Sequence, residues 1–341
     1  MYYKMWSRGK RGMDGFMKNT ENKRLITLIG MPLSQSFAAR MQNAGYRAAG
    51  LPYHYFYTEA GRDRLGEIID EVRRDPAFAG CAVTKPNKVA VLQYLDEVDP
   101  LCARIGACNT VCKTADGRLV GYNTDAIGFL QSFRNSSGLE IRGSSFFCFG
   151  AGGVGRAICC ALAEAGAGEI LITDVVRESA EDLAEAINRQ AEMRKGAAGT
   201  GLEKKGQEQS QRWVPLPDRK KNSCYRSVAK VVAPGDFSGT GQCQAIINAS
   251  GIGFGETVGQ TPLPAELIRP EQVCFDACYN PARTRFLQEA AAKGCRVLNG
   301  LEMSLLQGAA QIRLWTGEEA PVDVMEAELE QILRERSAEI S

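Results

Sequence analysis

The chain has 341 residues, 44% of them hydrophobic, and sets 41 Lys and Arg against 40 Asp and Glu for a net charge of +1. That length implies two domains with separate cores, and the balanced charge removes the electrostatic case for nucleic acid or an anionic membrane as partner. No apolar run approaches the roughly 20 residues that span a bilayer, and residues 1–23 lack the apolar centre of a signal peptide, so a cytoplasmic protein is expected.

Residues 1–23 are basic, without apolar period, and read as a disordered extension. From Arg24 the pattern alternates: strand RLITLIG, helix SFAARMQNAGYRAAG, strand YHYFYT, helix GRDRLGEIIDEVRR, strand GCAVT, then a helix from Pro86. Such alternation predicts an α/β domain with a mostly parallel sheet. CNTVCKTADGRLVGYNTD predicts a hairpin about Asp116-Gly117, followed by a helix from near Asp125. A second α/β unit opens with SSFFCFGAGGVGRAICCALAEAGAGEILITD, whose helix turns Val154, Ile158, Ala161, Leu162 and Ala165 inward. Strands AIINAS and VCFDACY follow, and the helix ARTRFLQEAAAKG closes on Gly294. Helices over 302–316 and 322–337 are expected to return to the first domain. Residues 191–240 are rich in Gly, Lys, Gln, Ser and Arg, too poor in apolar side chains to bury themselves, and read as an enlarged surface connection. The expected domains are therefore 24–124 with 301–341, and 125–300.

The 12 cysteines include no C-x-x-C pair, and several lie in apolar runs such as FFCFG and AICCALA, where a thiol packs as a small hydrophobe. The single histidine, His54, sits in the aromatic run YHYFY and reads as a packed side chain. No metal site is expected on these grounds, and a Ser-His or Cys-His nucleophile is disfavoured. Any chemistry falls to lysine, carboxylate or a cofactor.

FGAGGVGRA carries G-x-G-x-x-G in Gly150, Gly152 and Gly155, directly after a strand and at a helix start. Through Gly150, Ala151, Gly152, Gly153, Val154 and Gly155 the backbone can approach a pyrophosphate at the positive helix end. Asp174, about 20 residues on at the end of the next strand, suits the adenosine ribose hydroxyls and repels a 2′-phosphate, which favours NAD; Arg177 leaves NADP open. The alternative is a tight turn with a solvated Asp. AVTKPNKVAV ends a buried strand on Thr84, Lys85, Pro86 and Lys88, which is either a corner with solvated lysines or a lysine presented to a ligand.

GMPLSQS, AVTKPNK, GACNTV, GYNTDAIGF, GAGG, YNPARTRFL and GLEMSLLQGA occur in one order, and over about residues 24–317, the polar segment apart, the chain resembles the shikimate dehydrogenase family, including its quinate/shikimate branch. The resemblance implies an α/β fold with an N-terminal substrate domain, a Rossmann-like dinucleotide-binding domain and C-terminal helices returning to the first. It implies that Lys88 is the catalytic lysine and Asp125 the carboxylate sharing the reacting hydroxyl. Ser34 and Ser36 would hold the substrate carboxylate, and Thr84, Asn109, Tyr279 and Gln307 would make further ring contacts. Ser250, Ala277, Gly300 and Met303 would join the glycine-rich turn in binding the cofactor, Met303 beside the nicotinamide. The implied activity is reversible NAD(P)-dependent hydride transfer between shikimate and 3-dehydroshikimate, with quinate and 3-dehydroquinate as a further pair. An aminoshikimate-type or other cyclitol-carboxylate dehydrogenase, or a non-catalytic NAD-binding sensor, are the alternatives. The expected partner is the small-molecule substrate, on a monomer or homodimer.

Three departures from the family pattern stand out. Lys85 occupies a position that is usually apolar, and Phe37 follows Ser36 where Pro is usual. TDVVRE replaces an Asn-x-Thr run, which moves the expectation from NADP toward NAD. In a helix from Pro86, Lys88 would lie at the positive end, which disfavours an ammonium and so favours a base. A carboxylate such as Asp125 beside it would act in the opposite sense. On helix 302–316, Met303, Gln307, Ala310 and Leu314 share one stripe, and the glutamine there needs a partner, either a substrate hydroxyl or a buried carbonyl.

Overall fold

The computed structural model describes residues 22–34, 36–197 and 228–340. The expected disordered extension, up to residue 21, and residues 198–227 of the polar segment lie outside the described residues. The chain forms two compact units, one running to Thr124 and resuming at Gln307, the other from Asp125 to Leu306.

The first unit opens with strand β1 (Arg24–Gly30), helix α1 (Ala38–Ala48), strand β2 (Tyr53–Glu59), helix α2 (Arg62–Arg74) and strand β3 (Phe78–Val83). A short 3-10 helix (Ala90–Tyr94) leads to β4 (Glu97–Val98), α3 (Pro100–Ile105), β5 (Thr110–Lys113) and β6 (Leu119–Tyr122). The sheet order is β2-β1-β3-β5-β6-β4. β1 runs parallel to both β2 and β3, and its continuous burial explains the uninterrupted apolar sequence of a strand covered on both faces. α2 buries Leu65, Ile68, Ile69 and Val72, spaced three and four apart, in one cluster with Cys81 and Val83 of β3. At its C-terminal end the Lys113 ammonium donates to the Val72 and Asp75 carbonyls at 3.0 and 2.8 Å, placing a cation at the negative end of the helix. β5 and β6 form the hairpin about Asp116-Gly117, with β5 antiparallel to β3. His54 stacks on Phe56, their ring centroids 6.2 Å apart, and burial lowers its pKa.

The second unit holds α4 (Asp125–Ser136), β7 (Ser145–Phe149), α5 (Gly153–Glu164), β8 (Glu169–Thr173), α6 (Arg177–Ala197) and β9 (Val228–Val231). It continues through β10 (Ala245–Asn248), β11 (Val273–Asp276), α7 (Arg285–Ala292) and β12 (Arg296–Asn299) into α8 (Gly300–Thr316), and the chain ends in α9 (Val322–Ile340). Its sheet is wholly parallel in the order β9-β8-β7-β10-β11-β12, the arrangement in which two nucleotide-binding halves meet between β7 and β10. In the first unit α9 packs on α1, where a Cβ on Gly45 would stand 2.8 Å from Ile312 and 3.2 Å from Met325. No helix among the described residues is long and apolar enough to cross a membrane.

Four sequence expectations need correction. No α-helix starts at Pro86: residues 85–89 form turns, and the helix after them is the 3-10 segment from Ala90. Lys88 therefore does not occupy the first turn of an α-helix. The polar segment also belongs to the fold at both ends, as α6 continues to Ala197 and Val228–Val231 is the edge strand beside β8. Finally, the buried face of the C-terminal half of α8 carries Gly308, Gln311, Ile312 and Trp315, while Ala310 and Leu314 are only half-buried.

The described cysteines are all free thiols, and every one except Cys112 is buried.

Candidate active site

In the first unit the chain leaves β1 toward β2 on one side and reaches β3 on the other, so the carboxyl ends of β1 and β3 border a topological switch point, the usual seat of a ligand in an α/β sheet. A Cβ on Gly30 would overlap Cγ2 of Thr84 and stand 2.7 Å from the Lys85 carbonyl oxygen. Glycine thus lets the two loops cross closely, tied by Thr84 N–H to the Ile29 carbonyl at 2.9 Å and Met31 N–H to the Lys85 carbonyl at 3.0 Å. One loop carries Ser34 and Ser36, the other Thr84, Lys85 and Lys88.

The Lys88 turn is pinned on several sides. Asn87 is fully buried and donates through Nδ2 to the Ala60 carbonyl at 2.9 Å, while Arg62 Nε donates to the Pro86 carbonyl at 3.2 Å. Cys108 N–H donates to the Lys88 carbonyl at 2.7 Å, which joins the turn to the residue before Asn109. Lys88 is half-buried, whereas Lys85 is exposed. Ser36 Oγ accepts the Ala38 N–H at 3.2 Å at the start of α1, and the Tyr57 hydroxyl donates to the Ser36 carbonyl at 3.0 Å. Ser34 is exposed.

Asn109, just before β5, is buried in a hydrogen-bonded group. Its Oδ1 accepts the Thr124 N–H and the Thr110 hydroxyl, both at 2.8 Å, and its Nδ2 donates to Thr124 Oγ1 at 2.9 Å and to Gln307 Oε1 at 3.3 Å. The structure therefore joins Asn109 and Gln307 directly. Sequence reasoning missed Thr124, Gln311 and Tyr57 here. The hydroxyl of YNTD and a second glutamine one turn beyond Gln307 were the available signals.

In the second unit the loops after β7, β10, β11 and β12 hold the expected cofactor residues in sheet order. Gly150 has φ +102°, and a Cβ there would press within 2.7 Å of the backbone of Ala249 and Ser250. A Cβ on Gly155 would overlap the Gly150 carbonyl oxygen, whereas Gly152 faces open space. The three glycines thus serve turn, helix packing and ligand approach separately, which fits a dinucleotide pyrophosphate over the N-terminus of α5, beside Gly153 and Val154. Asp174, after β8, uses its carboxylate on the same turn, accepting the Ala151 N–H at 2.6 Å and the Val176 N–H at 2.8 Å. Arg177 is exposed and paired with Glu181 at 2.7 Å. Ser250 Oγ donates to Asn248 Oδ1 at 2.7 Å. Gly300 N–H donates to the Cys278 carbonyl at 3.0 Å, and a Cβ on Gly300 would overlap the Ala277 carbonyl oxygen. Met303 is buried one turn into α8. Burial raises the pKa of the Asp276 carboxyl at the end of β11, against the lowering effect of donors from Thr284, at 2.7 Å, and Cys278 N–H, at 2.9 Å. Asp125, the buried first residue of α4, and Tyr279, packed edge-on against Phe254, also belong to this unit.

The shikimate dehydrogenase substrate binding domain matches residues 28–111, and the shikimate 5'-dehydrogenase C-terminal domain matches residues 300–330. A shikimate dehydrogenase (NADP(+)) of Moorella thermoacetica is 36% identical over 311 residues, 91% of this chain and 92% of that protein. The chain belongs to the shikimate dehydrogenase family. Among solved members, a Listeria monocytogenes shikimate 5-dehydrogenase in complex with shikimate and NAD superposes with a TM-score of 0.74 at 30% identity, covering 91% of this chain and 97% of that one. A quinate dehydrogenase of Corynebacterium glutamicum in complex with NAD gives 0.73 at 27% identity, over 91% and 99% of the two chains. The family match to residues 28–111 spans the Thr84–Lys88 turn and Asn109, and the match from 300 spans Gly300, Met303 and Gln307. Asp174 and the glycine-rich turn lie outside both matched segments.

Proposed function

We propose that this chain interconverts shikimate and 3-dehydroshikimate, with Lys88 as the proton acceptor for the reacting hydroxyl. The observation that carries the reading is the bonded pair Asn109–Gln307 at a sheet switch point shared with the pinned Lys88 turn. Ser34 and Ser36, on the loop that crosses that turn, offer hydroxyls for a ring carboxylate, and Thr84, Asn109 and Gln307 offer donors and acceptors for ring hydroxyls. Tyr279 is proposed to add a further hydroxyl contact. Asp125 is proposed to accept a hydrogen bond from a substrate hydroxyl.

A nicotinamide dinucleotide, when bound, supplies the hydride acceptor in the oxidative direction. Gly150 to Gly155 would hold its pyrophosphate, Ser250, Ala277 and Gly300 would contact it from the loops after β10, β11 and β12, and Met303 would give an apolar contact for the nicotinamide. NAD is the preferred form on this reading. Its support is that the Asp174 carboxylate, held beside the glycine-rich turn, would repel a 2′-phosphate, and that Arg177 is turned to Glu181. Initial rates with shikimate and quinate, each with NAD and NADP, test both statements. Turnover of neither acid with either dinucleotide would refute the activity, and equal kcat/KM for NAD and NADP would refute the preference.

A further inference from the structure

A run of buried amides extends behind Asn109, and backbone groups fix its direction at each end. Gln42 Nε2 donates to the Gly308 carbonyl at 3.1 Å and to Gln311 Oε1, also at 3.1 Å. A carbonyl can only accept, so Nε2 of Gln42 faces Gly308 and the oxygen of Gln311 faces Gln42. Gln311 then points its own Nε2 at Thr110 Oγ1, 3.0 Å away, and at the Asn109 carbonyl, 3.4 Å away. At the other end the Thr124 N–H can only donate, which fixes Oδ1 of Asn109 as the acceptor. Thr110 lies between, accepting from Gln311 and giving its single proton to Asn109 Oδ1 at 2.8 Å. Gln42, Thr110, Thr124 and Gln311 are all buried, and the hydrogen-bond partners of Gln311 are the uncharged Gln42, Thr110 and Asn109.

Chains of this kind polarise along their length, and each buried member costs stability when its partner is lost. The outcome here is that Asn109 spends its oxygen inward on the Thr124 N–H and the Thr110 hydroxyl, with the Thr124 hydroxyl a further donor at 3.2 Å. What remains is its Nδ2–H₂, whose longer bond, 3.3 Å to Gln307, is the one a ligand oxygen can take over.

We infer that Gln311, with Thr110 as its relay, is a positioning residue for the substrate: together with the Thr124 N–H it holds the Asn109 amide so that N–H, and not C=O, meets a ring oxygen. The inference rests on the reading that Asn109 contacts the substrate. It assigns a polarity to that contact, so the site selects a ring oxygen that accepts.

Gln311→Glu is the discriminating variant. The introduced carboxylate still accepts from Gln42 but cannot donate, so it draws the Thr110 proton away from Asn109. At mildly alkaline pH the KM for shikimate is expected to rise about five- to tenfold, the share of one hydrogen bond, with kcat and the dinucleotide KM within about twofold of the parent. As the pH falls and the introduced carboxyl protonates, it donates again and the KM returns toward the parent value at the same pH. A merely structural defect would not recover with protonation.

Thr110→Val carries the test if the first variant fails to fold. It is expected to show the same KM rise without the pH-dependent recovery, and Thr110→Ser to match the parent. The relay is overturned if Asn109→Ala raises the shikimate KM while Thr110→Val and any folded Gln311→Glu stay within about twofold of the parent at every pH. If Asn109→Ala itself leaves the shikimate KM unchanged, the substrate contact of Asn109 is wrong and the relay falls with it.

Discussion

Asp174 and Ala151 are joined by a 2.6 Å hydrogen bond, so the acidic residue after β8 supports the glycine-rich turn as well as facing whatever lies beside it. On the proposed NAD preference, Asp174→Ser removes the carboxylate that would repel a 2′-phosphate. The ratio of kcat/KM for NADP to that for NAD is expected to rise by at least about tenfold, since one unfavourable charge pairing readily costs ~1.4 kcal/mol. The variant is also expected to lose stability, because the Ala151 and Val176 N–H groups lose their acceptor. Steady-state kinetics with both dinucleotides, beside a urea melt, separate the two effects.

Gly152 and Gly155 predict opposite phenotypes. A methyl at 155 would overlap the Gly150 carbonyl, so Gly155→Ala should lose several degrees in Tm or fail to fold. A methyl at 152 meets no protein atom, so Gly152→Ala should melt like the parent while its dinucleotide KM rises. Calorimetry and dinucleotide titration check the pair, and a Gly152→Ala enzyme with parental affinity would move the pyrophosphate elsewhere.

Lys88→Ala should lower kcat by roughly 10²–10⁴, the usual share of general acid–base catalysis, with dinucleotide affinity nearly unchanged. Lys85→Ala, which removes an exposed side chain, should cost at most about tenfold, chiefly in the KM for the acidic substrate. Circular dichroism must show both variants folded. A silent Lys88→Ala beside an inactive Lys85→Ala would transfer the catalytic role to Lys85.

The buried Asp276 gives a pH signature. Its folded pKa is raised above the ordinary 3.8, so from that pH upward the unfolded chain releases the proton before the folded one does. This group therefore contributes less stability as pH rises through that window, and its contribution levels off above the folded pKa. Asp276→Asn removes the titrating carboxyl, so the stability of the variant relative to the parent should increase with pH over the window and then hold constant. Urea melts of both proteins at several pH values provide the comparison, and a pH-independent difference would refute it.

Much of this was legible in the sequence because the central strands are continuous apolar runs and the glycines mark obligatory turns. β1, β3, β7 and β10 are buried along most of their length. The edge strand β9 was missed because Val228–Val231 is only partly buried and lacks the alternation that marks a strand. The helix expected after Pro86 failed for a different reason. The turn there is held by Asn87, Arg62 and Cys108, tertiary contacts that no local pattern contains. The stripe on α8 was misplaced because Gln311 reads as polar, whereas its partners Gln42 and Thr110 come from distant parts of the chain and make it a core residue.

The buried thiols turn the chain into its own reporter of opening. Cys81, Cys102 and Cys108 lie in the first unit, and Cys148, Cys159, Cys160, Cys243, Cys274, Cys278 and Cys295 in the second. An alkylating reagent reaches none of them until the surrounding core parts, and then reacts at a rate set by the free energy of that local opening. Pulsed alkylation read by peptide mass spectrometry would thus time each unit separately within one unlabelled protein. Repeating the pulse with shikimate or with a dinucleotide present would show which of the two each ligand holds shut.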